Sequence, residues 1–221
     1  MNGRMETVFA VCNNIRNGIT QGLSFQKLMT QIRREFKKSE IDLKIRTCKD
    51  KYLSTEVFYA QGYYDAEEDE NHECPFEVII THNFNGTEIW TRDNVTKLLI
   101  QIFDTVVHEF KHQRQHYKRK SKIRPPKSSA HIDYLADPDE VDAYSLSIAV
   151  ELTRSLGKAR AFRYLHNLQK LSRFKLNNQF VSPSLSMYAG TFDRTRPMIL
   201  KKLAKKVYVR LQKLDSDVVF M

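Results

Sequence analysis

A chain of 221 residues with 41% hydrophobic side chains and no low-complexity tract fits a folded globular protein with one sizeable core. No apolar run reaches the length of a membrane span, and the opening residues Met1–Glu6 lack the apolar stretch of a signal peptide. Three widely spaced cysteines (Cys12, Cys48 and Cys74) do not make a disulfide framework, so a reducing, cytoplasmic setting is expected.

The net charge of +10 is unevenly spread: +5 over residues 1–50, −8 over residues 51–104 and +13 over residues 105–221. The basic surplus sits in runs such as Lys118–Arg124 and Lys201–Lys206. It favours an anionic partner, nucleic acid or an acidic protein, unless it is only the solvated face of basic helices.

Two helices come first in the chain. One covers about Glu6–Ile19. The next starts after Ser24 as N-cap and carries Phe25, Leu28, Met29, Ile32 and Phe36 at helical spacing. The period then shortens: Ile41–Ile45 alternates strictly, and Val57–Ala60 and Phe76–Ile80 read as strands. The acidic stretch Asp65–Glu73 between them reads as a solvated loop. His72 within it and Cys74 just after it are a weak candidate metal pair. Asn85-Gly86 is a turn signal ahead of Glu88-Ile89-Trp90.

A long helix is expected from about Thr91 to Tyr117. Val95, Leu98, Leu99, Ile102, Phe103, Val106 and Phe110 form its apolar stripe. Near its end stands His108-Glu109-Phe110-Lys111-His112, an H-E-x-x-H pattern. Two imidazoles four residues apart lie on one helical face and can hold one metal ion. The glutamate beside the first is then suited to act as general base. At about 100° per residue the histidines point away from the apolar stripe and share a face with Gln101 and Thr105. A core histidine would sit among the leucines.

Zinc needs a third protein ligand. After a basic loop with Pro125-Pro126, Asp137 reads as an N-cap, Pro138 as the first helical residue and Glu140 as a first-turn residue. Apolar spacing through Val141, Ile148, Ala149, Leu152 and Leu156 continues that helix to Gly157. Glu140 is therefore the leading third ligand, in competition with a mere capping-box role.

The H-E-x-x-H pattern at 108–112, followed by Glu140 in a Glu-x-x-Ala helix, resembles the zincin metallopeptidases of the gluzincin type. It is similar in particular to the compact ImmA/IrrE-like peptidases and to phage-encoded metallopeptidases of small size. The resemblance covers about residues 90–156. Lys111 stands where many compact members have glycine, and the Gly-x-x-His extension of metzincins is missing. The resemblance implies Zn2+ held by His108, His112 and Glu140, Glu109 as general base, and a protein substrate laid along a sheet edge, either Phe76–Ile80 or the segment before Trp90. It also implies a second electrophile, for which Tyr134 is the candidate and His131 the alternative. As third ligand, His131 would instead give a site similar to SprT-like DNA-associated peptidases. His116, Asp137 and Asp139 are more remote choices, and His116 reads as a surface histidine. Asp142 or Asp104 is the expected hydrogen-bond partner of a ligand histidine.

The expected fold is α+β and zincin-like: two N-terminal helices, a small mainly antiparallel sheet, the motif helix, the Glu-bearing helix and a helical C-terminus. Residues 1–157 would form the peptidase domain. Residues 158–221 would be a basic helical extension packed on it, with helices at Lys158–Leu171 and Pro197–Leu214 and the segment Pro183–Gly190 between them. The alternative function is a zincin-shaped structural or nucleic-acid-binding protein without peptidase activity.

Overall fold

Helical spacing of Met5, Val8, Cys12 and Ile15 builds the first buried stripe, on α1 (Asn2–Gly18). The computed structural model describes residues 2–71, 73–119, 131–170, 181–193 and 195–214. Mixed α+β architecture results, with residues 1–121 forming one compact unit and residues 122–219 another. His72, Lys120–Arg124, Pro125-Pro126 and Leu171, all singled out in the sequence, lie outside the described residues. Among the described residues no helix is long and apolar enough to cross a membrane.

In the first unit, α1 packs on α4 (Arg92–Lys118), with Phe9 meeting Phe103 edge to face at 6.5 Å. The whole predicted stripe of α4, from Val95 to Phe110, is buried. Thr91 caps the helix by accepting from the Asn94 N–H. Cys12 lies wholly inside this interface, where burial pushes its thiol pKa well above the usual value and keeps it unreactive. Ser24 caps α2 (Phe25–Lys38), whose Phe25, Leu28, Met29, Ile32 and Phe36 are buried as the spacing predicts.

The principal sheet has three strands in the order β2 (Leu43–Lys49), β4 (Phe76–His82), β3 (Phe58–Tyr64). The β2–β4 pairing is parallel and β3–β4 antiparallel, with Ile45, Val78 and Gly62 in register. A second, two-stranded ribbon pairs β1 (Leu23–Ser24) with β5 (Ile89–Trp90). Phe76–Ile80 is therefore central and paired on both sides, so it cannot serve as the expected substrate-binding edge. An edge of the sheet is formed instead by β3, which packs along α4.

The acidic stretch also differs from expectation. Instead of a free loop, Asp65 caps a short helix, α3 (Ala66–Glu70), by accepting from the Glu67 and Glu68 N–H groups. Its acidic first turn suits the positive end of the helix dipole. Asp69 then accepts from Tyr64 Oη on β3 at 2.7 Å and from Gln113 Nε2 on α4 at 3.0 Å. Burial raises the Asp69 pKa, but hydrogen bonds from Tyr64, Tyr117 and Gln113 outweigh it and hold the carboxyl below its usual value.

Phe25, Phe58, Phe84 and Trp90 form an aromatic cluster that encloses His82. His82 Nδ1 accepts the Phe84 N–H at 3.0 Å, which suits a neutral ring. Burial, with Lys49 adding to it, pushes the His82 pKa below its ordinary value. Because the folded pKa is the lower one, His82 contributes full stability above about pH 6.5, the unfolded value, and loses it as pH falls through the folded value. Urea unfolding should therefore show a stability loss between pH 7.5 and 5 that shrinks in His82→Gln. An equal loss in both proteins would rule out His82 as a source of the acid sensitivity.

The second unit is helical: α5 (His131–Ala136), α6 (Pro138–Leu156), α7 (Lys158–Lys170), α8 (Pro183–Phe192) and α9 (Pro197–Lys213). Pro183–Gly190, expected only as a connecting segment, is a helix capped by Ser182. The sequence suggested a boundary after Gly157, but α6 packs on α7, α8 and α9 and shares their core, so the division falls at 121/122. Ile148, Ala149, Leu152, Leu165, Leu203 and Val207 belong to that core. Glu151 fastens α8 by accepting from the Ser182 and Ser184 hydroxyls. Gly157 ends α6 at φ +75°, a conformation that favours glycine.

Candidate metal centre

His108 and His112 occupy the polar side of α4, as the periodicity requires. Both are half-buried, whereas Phe110 on the other side is in the core. Their Nε2 atoms lie 3.0 Å apart. Two nitrogens bound to one tetrahedral zinc, each about 2.0–2.1 Å away, stand about 3.3 Å from each other. The pair is thus spaced to share one ion after a shift of a few tenths of an ångström.

Gln115 supplies the orientation. His112 Nδ1 lies 3.0 Å from Gln115 Oε1. A proton on Nδ1, donated to that oxygen, leaves the Nε2 lone pair directed at the shared position. Sequence reasoning expected Asp142 or Asp104 in this role. Asp142 is bound by Lys206 and Arg210 within the second unit, each at 2.8 Å. Gln115 was legible in principle, because it stands three residues after His112, where helical side chains meet.

Glu109 is 7% exposed, packed against the edge strand. A Cβ on Gly62 would come within 2.6 Å of Glu109 Oε1 and 2.6 Å of Thr105 Cγ2. Only the missing side chain lets β3 approach α4 this closely. One turn earlier, Gln101 Oε1 accepts the Ala60 N–H at 3.1 Å and fastens the strand to the helix. The face predicted from Gln101, Thr105, His108 and His112 is thus built against β3 by Gln101 and Thr105. Gly62 went unnoticed, although a glycine inside a strand signals close backbone approach.

His116 is 3% exposed, not a surface histidine; its Nε2 lies 3.1 Å from Glu70 Oε1, and its ring packs beside Tyr64 and Tyr117. It belongs to the contacts that hold α3 on α4. Cys74 Sγ lies 3.7 Å from the Phe76 carbonyl oxygen. In the second unit, His131 and Tyr134 are exposed on α5, Tyr134 by 45%. Asp137 caps α6 by accepting from the Asp139 N–H at 2.8 Å. Glu140, in the first turn of α6, is buried. Comparison with protein-family models, with curated proteins and with solved structures finds none that matches this chain.

Proposed function

We propose that this chain is a zinc-dependent peptidase in which His108, His112 and Glu140 hold the ion and Glu109 is the general base. The observation that carries the reading is the 3.0 Å separation of the two histidine Nε2 atoms beside a sheltered Glu109. Imidazole and carboxylate donors suit zinc, and three of them leave one position open. Glu140 fits as the third donor because the Asp137 N–H, which a capping-box glutamate would take, donates to the Tyr134 carbonyl at 3.0 Å, so the cap does not require the Glu140 carboxylate.

When bound, the ion lowers the pKa of a water molecule and polarises a carbonyl group. Glu109 takes the proton of that water and returns it to the departing amine. Tyr134 is the proposed donor to the carbonyl oxygen as it gains charge. The substrate is an extended peptide added to the outer edge of β3 by main-chain hydrogen bonds. A carboxylate placed directly beside two metal-binding histidines has a use in hydrolysis and none in a merely structural site, which favours the enzyme over a zincin-shaped scaffold.

A pooled peptide library read by mass spectrometry tests the reaction. Zinc-loaded protein should cleave members of the pool, lose cleavage on chelation and regain it with added zinc. Failure of the zinc-loaded chain to cleave any peptide would overturn the proposal.

A further inference from the structure

We infer that the outer surface of α7 and α9 is a nucleic-acid-binding face that takes phosphates sequence-independently and stacks a base on Tyr208. The two helices carry four and six Lys or Arg, respectively, and not one Asp or Glu. A helix face kept merely soluble mixes both signs, because Glu–Lys pairs four residues apart stabilise it while like charges at that spacing destabilise it. On α9, Lys201 stands four residues before Lys205, and Lys202 four before Lys206. This self-repulsion is relieved by a bound polyanion.

Part of the positive charge is used internally, which separates structural cations from available ones. Lys206 and Arg210 both reach Asp142 on α6 and fix α9 to the core. Lys201, Lys202, Lys205 and Lys213 on α9, with Arg160 and Arg163 on α7, stay exposed. Among the described acidic residues of the second unit, Glu140 and Glu151 are buried, Asp133 pairs with Arg196, and Asp142 is taken by Lys206 and Arg210.

The two helices run antiparallel, since Lys158 Nζ donates to the Leu214 carbonyl while Phe162 meets Tyr208 at 5.2 Å. Tyr208, 43% exposed, thus sits between the two basic surfaces with its ring braced by Phe162. Exposed aromatic rings flanked by cations are the usual platform for stacked bases. A membrane-surface helix would turn its leucines outward, but Leu200, Leu203 and Leu211 are all buried in the core. An acidic peptide would satisfy the lysines without using the ring.

Fluorescence anisotropy of the full chain with a labelled single strand of about 20 nucleotides tests the inference. Binding should weaken linearly in log salt. The triple variant Lys201→Gln, Lys202→Gln, Lys205→Gln should lose about tenfold or more and flatten the salt slope by about 2, at about 0.7 per lost phosphate contact. Tyr208→Ala should weaken binding without changing that slope. The charge-matched control Lys27→Gln, Lys37→Gln, Lys38→Gln should bind as wild type, and circular dichroism checks that each variant is folded. Absence of binding, equal binding by the α9 triple variant, or an equal loss in the control would overturn the inference. So would lysine-dependent capture of polyglutamate or of phosphatidylglycerol vesicles when the oligonucleotide is not bound.

Discussion

Replacing Glu109 by Gln should lower peptide hydrolysis by about 10²–10⁴-fold, the span contributed by a positioned general base, while metal content stays at the wild-type level. The amide keeps the shape of the side chain against Gly62 and Thr105, so the sheltered fit next to β3 survives. What disappears is the capacity to accept a proton. Because Glu109 is not among the proposed ligands, affinity for the ion should be nearly unchanged. Turnover on a cleaved library peptide, measured beside zinc content, separates the two effects. Loss of metal in Glu109→Gln would make Glu109 a ligand or a support of one, and undiminished turnover would remove it from catalysis.

The second large effect is expected at Gly62→Val. Even a single added carbon meets Glu109 and Thr105 at 2.6 Å, and Thr105 is short and fixed on its helix, so relief must come from the strand or from Glu109. Overpacking of this kind costs about 1–3 kcal/mol, seen as a lower urea midpoint at unchanged slope. It also moves Glu109, the proposed general base, so turnover should fall further than the loss of folded protein explains. Zinc content should hold, because His112 is fixed by Gln115 on the same helix rather than by the strand. A variant as stable and active as wild type would show that β3 does not constrain Glu109.

The parts of this protein that were legible in its sequence are those governed by local periodicity. The apolar stripe of α4 and the opposite placement of His108 and His112 follow from 3.6 residues per turn, and burial along the helix agrees. Ser24 and Asp137 were readable as caps, because capping chemistry acts over two or three residues. Contacts between distant segments were not readable. The strand order that makes β4 central depends on pairing β2 with β4 across more than thirty residues of sequence. His116 looked like a surface residue because its partner Glu70 lies 46 positions away. The acidic run at 65–73 looked solvated because its charge density hid an N-cap and the inward hydrogen bonds of Asp69. Within the site, the two histidines and Glu109 came from the motif, while Gln115 and Gly62 emerged only with the geometry.

Metal content of the purified full chain, after dialysis and reloading with zinc, tests the central claim most directly. Wild type and Glu109→Gln should each hold about one zinc per chain, and His112→Ala and Glu140→Ala far less. Wild-type protein that takes up no zinc, or a His112→Ala variant that holds as much as wild type, would contradict it.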